Sequence, residues 1–447
     1  MINPETRDEA AVTRRNIFTL AWPIVLANAA IPLLGLVDTA VIGNTGTVED
    51  LGGIALGALL FSFVYWSFGF LRMGTTGFVA QASGAGDHAE ARATSVRALL
   101  LAAAIGVALV ILQRPISWAS LALLDGTGEV EALTRAYFDV RIWGAPAALG
   151  TFVVLGTFVG LGRTRYLLAT QVLLNGLNIA LDLIFAGVLG WGVEGIALGT
   201  AIAEWSTFGF ALLLLYRVLR ASHSDEEPFV PWKRLLDRSR ALATLNANAD
   251  IMIRTLFLLM GFSWFTNQGA RFGDEVLAAN HILLQLVAMS AYLLDGYAHA
   301  TEIVVGRAVG SGSVTIFDRA VRAATELAGI TAVVLSGAAL FLGPRVITGL
   351  TNLDPVRDTA IAYLPYTAVY IAVSFAAFQL DGIFIGATAT RDMRNASILS
   401  FTTFLLTSLL MVPVAANVGL WLAFIVYILT RAVALAVHYS AVRARSM

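Results

Sequence analysis

Apolar residues run along this chain in stretches far longer than the roughly ten alternating residues of a membrane-barrel strand. The stretches are rich in Leu and Ala, and polar or Gly/Pro clusters separate them. A helix that crosses a bilayer needs about 20 mostly apolar residues, so the pattern predicts an all-α fold with twelve membrane-spanning helices. Their approximate limits are 17–43, 51–82, 95–122, 132–162, 165–190, 192–218, 246–271, 276–310, 319–349, 358–387, 394–416 and 419–441.

The composition places the chain among integral membrane proteins. Apolar residues make up 58% of the 447 residues and charged residues only 13%, whereas soluble domains carry about 45–50% and about 25%. The net charge of −1 argues against a nucleic-acid partner, which would require a basic surface. The chain has no Cys, which excludes disulfides and Cys-based metal or catalytic sites.

The basic residues of the predicted loops indicate the orientation in the membrane. Lys and Arg accumulate in cytoplasmic loops, and here nineteen of them, against five, fall in one alternate set of loops and next to both termini. The opposite set holds only Arg114, Arg135, Arg271, Arg345 and Arg357. An even number of spans places both termini on the same side of the membrane, and the charge asymmetry predicts that this side is the cytoplasm.

Two halves of the chain show signs of duplication. A polar, Pro-containing linker at 221–240 separates a predicted N-lobe at 1–220 from a predicted C-lobe at 241–447, each with six spans. An offset of 226 residues aligns six glycine pairs without gaps: Gly35/Gly261, Gly43/Gly269, Gly84/Gly310, Gly86/Gly312, Gly156/Gly382 and Gly160/Gly386. Because six is even, the halves form a parallel repeat about an axis along the membrane normal. The last two pairs predict small-residue packing faces between helices.

Ionisable groups inside spans are costly and mark candidate functional sites. Asp38 follows Pro23 and Pro32 in span one, where a carboxyl group beside a bendable helix can couple protonation to helix shape; the alternative is an interfacial Asp38. Span five carries a polar stripe whose spacings of four, three and four residues place it on one helix face. The stripe is Gln171, Asn175, Asn178 and Asp182.

Further polar residues are candidates for a cavity or for structural pairs. In the first half, Tyr137 of span four is a candidate to reach a cavity carboxylate, and Thr200 and Glu204 share a face of span six. In the second half, Asp295 and Glu302 share a face of span eight, and Asp381 lies in span ten. Structural hydrogen bonds or pairing with Arg72, Arg254 or Arg431 are the alternative. His299 and Glu302 alone make a poor metal site, and no metal or other cofactor is expected.

Several segments together resemble the MATE multidrug exporters, and in particular their prokaryotic DinF-like branch. These segments are LANAAIPLLGLVDTAVIG in span one, LLNGLNIALDLIF in span five, AYLLDGYAHATE in span eight and LDGIFIGATATRDMRN in span ten. The resemblance covers essentially the whole chain. It implies a two-lobe transporter of a prokaryotic cytoplasmic membrane that exports organic cations or other hydrophobic small molecules by H+ or Na+ antiport, and a monomer suffices for this mechanism.

The resemblance also assigns roles to individual residues. The coupling carboxylate of span one falls on Asp38, and the Asn-x3-Asp pair of span five falls on Asn178 and Asp182. A cavity tyrosine and a cavity threonine fall on Tyr137 and Thr200. The family pattern has an amide in span four where this chain has Leu155.

A flippase and an intramembrane enzyme are the alternatives to an exporter. A lipid-linked oligosaccharide flippase of the same superfamily would bind a pyrophosphate and would therefore line its cavity with Arg or Lys. An intramembrane enzyme would need a compact cluster of nucleophile and base, whereas the acids here are dispersed and no catalytic motif is present. The excess of intramembrane acids over arginines favours a cation transporter.

Overall fold

A computed structural model describes residues 13–30, 40–43, 46–122, 128–223 and 228–447. Asp38 lies outside the described residues. The described part is helical, without a strand. The helices are α1 (Arg14–Ala29), α2 (Val48–Ser67), α3 (Phe70–Gly84), α4 (His88–Ile111), α5 (Gln113–Leu121), α6 (Gly128–Arg141), α7 (Ala145–Gly160), α8 (Thr164–Asp182), α9 (Gly192–Ala221), α10 (Trp232–Leu235), α11 (Arg238–Ala270), α12 (Asp274–Ser311), α13 (Val314–Leu350), α14 (Asp354–Gly386), α15 (Thr390–Val437) and α16 (Tyr439–Ala444).

Ten helical segments of the described residues are long and apolar enough to cross a membrane. They coincide with predicted spans two to twelve, because the segment Thr390–Ala444 contains both span eleven and span twelve. The backbone at Ala416 has φ 46° and ψ −127°, which divides this segment where the sequence predicts the boundary. Span one is described only in part, as α1 and residues 40–43. The predicted all-α, multi-span fold is confirmed.

The chain forms two compact units. The N-unit consists of Leu26–Ser83 and Asp87–Thr244, and the C-unit consists of Met1–Val25, Gly84–Gly86 and Leu245–Met447. Each unit has its own apolar core. The core of the N-unit includes Phe61, Phe138 and Ile196. That of the C-unit is built on aromatic side chains, with Phe265, Trp421 and Phe424 in mutual contact.

The contacts of the aligned glycines repeat in the two units. A β-carbon at Gly156 would collide with the carbonyl group of Arg72, and a β-carbon at Gly382 would collide with that of Ala298, which is Arg72 plus the same offset of 226 residues. One turn later, Gly160 lies against Thr76 in the N-unit, and Gly386 lies against Glu302 at the corresponding place in the C-unit. The predicted packing faces are therefore confirmed. The same register of helix contacts in both units supports the duplication.

A further aligned pair is explained by backbone conformation. Gly86 has φ 69° and Gly312 has φ 66°, values in the left-handed region that side chains with a β-carbon rarely adopt. Gly312 follows the last residue of α12 and forms its C-cap, a position where glycine is common. The duplicated sequence thus keeps glycine where the same turn recurs.

Regular helix of the N-unit is interrupted near polar residues of interest and within predicted span two. A 3₁₀ turn at Ile142–Gly144 separates α6 from α7 directly after Arg141. A π-helical turn at Leu183–Val188 begins directly after Asp182. Such π-turns are frequent at functional sites. The third interruption, at residues 68 and 69, separates α2 from α3 within predicted span two.

Candidate functional site

The polar stripe of span five lies on α8 in the N-unit and faces α9 at its C-terminal end. Asn178 is fully buried, and its Nδ2 donates a 2.8 Å hydrogen bond to Oγ1 of Thr200. Asp182 is also fully buried. Its carboxylate lies against Gly199, since a β-carbon there would come within 2.7 Å of Oδ1. The structure therefore brings an acid, an amide and a hydroxyl together between two helices.

Asn175 of the stripe contacts the residue that follows α1. Nδ2 of Asn175 donates a 3.2 Å hydrogen bond to the carbonyl oxygen of Ala30, the residue directly after α1. In the sequence, Asp38 follows Ala30 by eight residues. Gln171, one turn before Asn175, is half-buried. The stripe thus links the end of the first helix to the buried carboxylate of Asp182.

A second polar cluster of the N-unit surrounds the guanidinium group of Arg141. This group donates a hydrogen bond to the hydroxyl of the fully buried Tyr137 and lies 3.8 Å from the carboxylate of Glu204. The hydroxyl of Tyr65 donates to the same carboxylate at 3.4 Å. The guanidinium carbon also lies 4.8 Å from the ring centre of Phe61, a cation–π distance. Tyr137 thus contacts a basic group that is itself paired with a carboxylate.

Glycine makes room for this second carboxylate. A β-carbon at Gly144, in the 3₁₀ turn after α6, would collide with Oε2 of Glu204. Tyr65, Phe61 and Gly144 belong to this cluster although no sequence pattern predicts a functional role for them. A possible signal was the spacing of Phe61 and Tyr65, four residues apart in a long span, because aromatic side chains at that spacing share a helix face.

The C-unit holds a buried ion cluster formed by side chains of three helices. Asp381 of α14 accepts a hydrogen bond from Arg254 of α11 and forms an ion pair with Arg431 of α15. All three side chains are nearly fully buried. This arrangement favours the pairing alternative for Asp381, since two guanidinium groups share one of its oxygen atoms.

Asp295 and Glu302 lie on α12 in the same unit. Asp295 is half-buried. Glu302 is buried and lies 3.9 Å from Nε2 of His299. Within the described residues, no group of three or more His, Cys, Asp or Glu side chains is arranged to hold a metal ion.

Sequence comparison connects these features to a known family. A profile of the MatE family matches residues 23–184 and 251–409, which is most of both halves. The chain belongs to the MatE family. It is 37% identical over 421 residues to the DNA damage-inducible protein F of Escherichia coli, covering 94% of this chain and 90% of that protein. It is 27% identical to a probable multidrug resistance protein NorM of Aromatoleum aromaticum, covering 91% of this chain and 86% of that protein.

Structural comparison agrees with this assignment. A structure described as the outward-facing conformation of a multidrug resistance MATE family transporter superposes with a TM-score of 0.83 at 20% identity. The match covers 98% of this chain and 96% of that chain. The predicted resemblance to MATE proteins is therefore confirmed, and membership of the MatE family makes this multi-span membrane protein a transporter rather than an enzyme.

Proposed function

We propose that this MatE protein is a secondary active exporter that moves organic cations out of the cell in exchange for H+ or Na+. The proposal rests on the C-terminal end of the polar stripe of α8. Asp182 is fully buried there, and the hydrogen-bonded pair of Asn178 and Thr200 lies one turn away along the helix pair. An ionised carboxylate at membrane depth is costly unless a cation or a proton accompanies it.

The coupling site in this proposal combines the stripe with Asp38. The hydrogen bond from Asn175 to the carbonyl group of Ala30 connects the stripe to the chain segment that leads to Asp38. Loading with a proton or Na+ changes the charge of two carboxylates, Asp182 on α8 and Asp38 in span one. The bendable, Pro-containing span one then transmits this change to the cavity, where Gln171, Tyr137 and Thr200 contact the substrate.

Exchange requires that ion and substrate favour different states of the transporter. A ligand shifts a conformational equilibrium only by its difference in affinity for the two states, and this coupling is reciprocal between the two ligands. A proton that moves inward through about 100 mV supplies roughly 2.3 kcal/mol from the potential alone. An electroneutral exchange of one proton for one monovalent cation would gain no free energy from the membrane potential.

The charge arrangement supports a cationic substrate over the pyrophosphate of a flippase. Arg141 is paired with Glu204, and Arg254 and Arg431 share Asp381, so a carboxylate already lies beside each of these guanidinium groups. We assign Asp295 and Glu302 a secondary role in substrate range, with Asp381 holding the two arginines of the C-unit in place. We further propose a monomer in a prokaryotic cytoplasmic membrane with both termini in the cytoplasm, built from lobes at 1–220 and 241–447.

Transport by purified protein in proteoliposomes tests the proposal. A fluorescent organic cation such as ethidium is followed under an imposed pH gradient and, separately, under a Na+ gradient. We expect one gradient to drive dye movement and expect the variants Asp182→Asn and Asp38→Asn to lose it. Asp139→Asn is the matched control, because Asp139 is an exposed carboxylate of the same unit.

Each outcome has a defined meaning. Dye movement at the wild-type rate in Asp182→Asn would remove Asp182 from the coupling site. Folded wild-type protein that moves no dye under either gradient would contradict the exporter proposal. In that case, flipping of lipid-linked pyrophosphates would be the next activity to assay.

A further inference from the structure

We propose that a groove on the C-unit between α13 and α14 binds an anionic phospholipid of the cytoplasmic leaflet. The groove has a volume of about 660 Å³. Its α13 side spans Val321 to Val334, and Phe375 of α14 closes the other side. The site lies on the outer face of a membrane-spanning helix and is separate from the proposed coupling residues.

The two ends of the groove differ in chemistry. Arg322 and Glu326 lie at one end, and the exposed side chains of Ile330, Val333 and Val334 lie at the other. The spacing of these residues places them along one face of α13. A polar end followed by an apolar channel matches the two parts of a phospholipid, which are a charged headgroup and an acyl chain.

The polar end carries a net positive charge. Nε of Arg14 donates a 2.8 Å hydrogen bond to Oε2 of Glu326, and Nε of Arg322 donates a 3.1 Å hydrogen bond to Oε1 of the same carboxylate. Glu326 therefore holds two guanidinium groups side by side, while their side chains stay 68% and 83% exposed. Two such groups around one carboxylate leave one excess positive charge and exposed N–H donors for a phosphate.

The length of the groove fits one leaflet. From Arg322 to Val334 a helix rises about 18 Å, and half of the hydrocarbon core of a bilayer is about 15 Å thick. The predicted orientation places the start of α13 at the cytoplasmic side. The arginines would then lie at the headgroup level of the leaflet in which anionic lipids attract basic residues.

A glycine provides the depth of the groove. Gly329 lies between the polar and the apolar ends, and a β-carbon at this position would be 3.4 Å from the ring of Phe375, an ordinary contact distance. A larger side chain there would fill the channel without colliding with the helix backbone. Gly337 lies on the same helix outside the groove, and its β-carbon would meet no atom within 4 Å.

Lipid retention measured by native mass spectrometry tests this site. The probes are phosphatidylglycerol and phosphatidylcholine with identical acyl chains, added to delipidated full-length protein. We expect the wild type to retain phosphatidylglycerol in preference to phosphatidylcholine. Because each arginine near the surface contributes about 1 kcal/mol, Arg322→Gln should weaken phosphatidylglycerol binding about fivefold. Gly329→Leu should weaken the binding of both lipids.

Matched variants on the same helix serve as controls. Arg345→Gln removes an arginine from the other end of α13, and Gly337→Leu adds the same side chain outside the groove. Both should retain phosphatidylglycerol as the wild type does. Equal retention of the two lipids by the wild type, or unchanged retention in Arg322→Gln and Gly329→Leu, would overturn the proposal. Displacement of the lipid by micromolar ethidium would also overturn it, because the groove would then be a substrate site.

Discussion

At the scale of single residues, the two units use buried charge in different ways. In the N-unit, Asp182 lies against a glycine and beside an amide–hydroxyl pair. In the C-unit, Asp381 lies between two arginines. A carboxylate shared by two buried arginines has its charge compensated by them. These ion pairs give Asp381 a structural explanation, whereas the coupling role of Asp182 stays a proposal.

Gly199→Ala tests the importance of the position of the Asp182 carboxylate. The added methyl group would come within 2.7 Å of Oδ1 and would therefore displace it. We expect ion-coupled dye transport to fall at least tenfold while the protein remains folded and inserted. Gly209→Ala is the control, since a β-carbon at Gly209 in the same helix meets no atom within 4 Å. Equal transport rates in the two variants would argue against a fixed carboxylate position.

Asp381→Asn should act on stability. The substitution leaves Arg254 and Arg431 buried without their shared carboxylate, and breaking a buried ion pair in this way costs about 3–5 kcal/mol. We expect a lower unfolding temperature in detergent. The double variant Asp381→Asn/Arg431→Gln should recover part of the loss because it removes one uncompensated charge. A stable Asp381→Asn protein that fails to transport would instead assign this acid a direct role.

At the scale of elements, the linker helix α10 is attached to the start of α4. Nη1 of Arg234 donates a 2.5 Å hydrogen bond to Asp87, and Nε of Arg92 donates to the carbonyl oxygen of Phe229 at 3.0 Å. Asp87 is also the N-cap of α4 and accepts from the backbone N–H of Glu90. One carboxylate therefore stabilises a helix terminus and the linker at once.

Acid should loosen this attachment. Burial by itself would raise the pKa of Asp87, but the N–H of Glu90 and the guanidinium group of Arg234 outweigh it, so the pKa lies below its ordinary value of 3.8. A carboxylate with a lowered pKa stabilises the folded state above its ordinary pKa, and this contribution is lost as the pH falls through the lowered value.

Hydrogen exchange of residues 228–236, corrected for intrinsic rates, measures this effect. We expect faster exchange as the pH falls below the ordinary carboxyl pKa of 3.8, and fast exchange at neutral pH already in Asp87→Asn. Asp274→Asn, which changes an exposed carboxylate in the C-unit, is the control. If Asp87→Asn exchanged as slowly as the wild type, the linker would be held by other contacts.

At the scale of the whole molecule, the two halves share the same glycine contacts between helices but differ in their buried polar residues. The glycine contacts of α7 with α3 recur between α14 and α12 at the same offset. Leu155 and Asp381 occupy equivalent positions in the two halves, yet one is apolar and the other belongs to the ion cluster. A close contact between two helices has room only for small residues. The polar residues of each unit are not restricted in this way and differ between the halves.

The absence of Cys from the chain allows the predicted orientation to be measured by cysteine labelling. Ser222→Cys lies after α9 and Asn352→Cys lies between α13 and α14, both at exposed positions. Because cytoplasmic loops carry the basic residues, an impermeant maleimide should label only Asn352→Cys in intact cells. Both variants should react once the cells are permeabilised. Labelling of Ser222→Cys in intact cells would reverse the assigned topology.

The sequence alone determined the class, the helices and the stripe of α8. Each depends on local information: apolar runs set the spans, and helical periodicity places Asn175, Asn178 and Asp182 on one face. The interruptions of the helices could not be predicted from the sequence. The π-turn after Asp182 and the 3₁₀ turn after Arg141 are not marked by a strong sequence pattern. The roles of the site residues, including Asp38, stay predictions.

Only the tertiary structure decided which polar groups are partners. Asp381 and its arginines come from three helices far apart in the sequence, as do Arg141, Glu204 and Tyr65. The periodicity of one helix reports which face a side chain occupies but carries no information about the facing helix. The free energy of a buried charge depends on its partner across that contact, so the ion pairs of Asp381 and Glu204 could be found only from the fold.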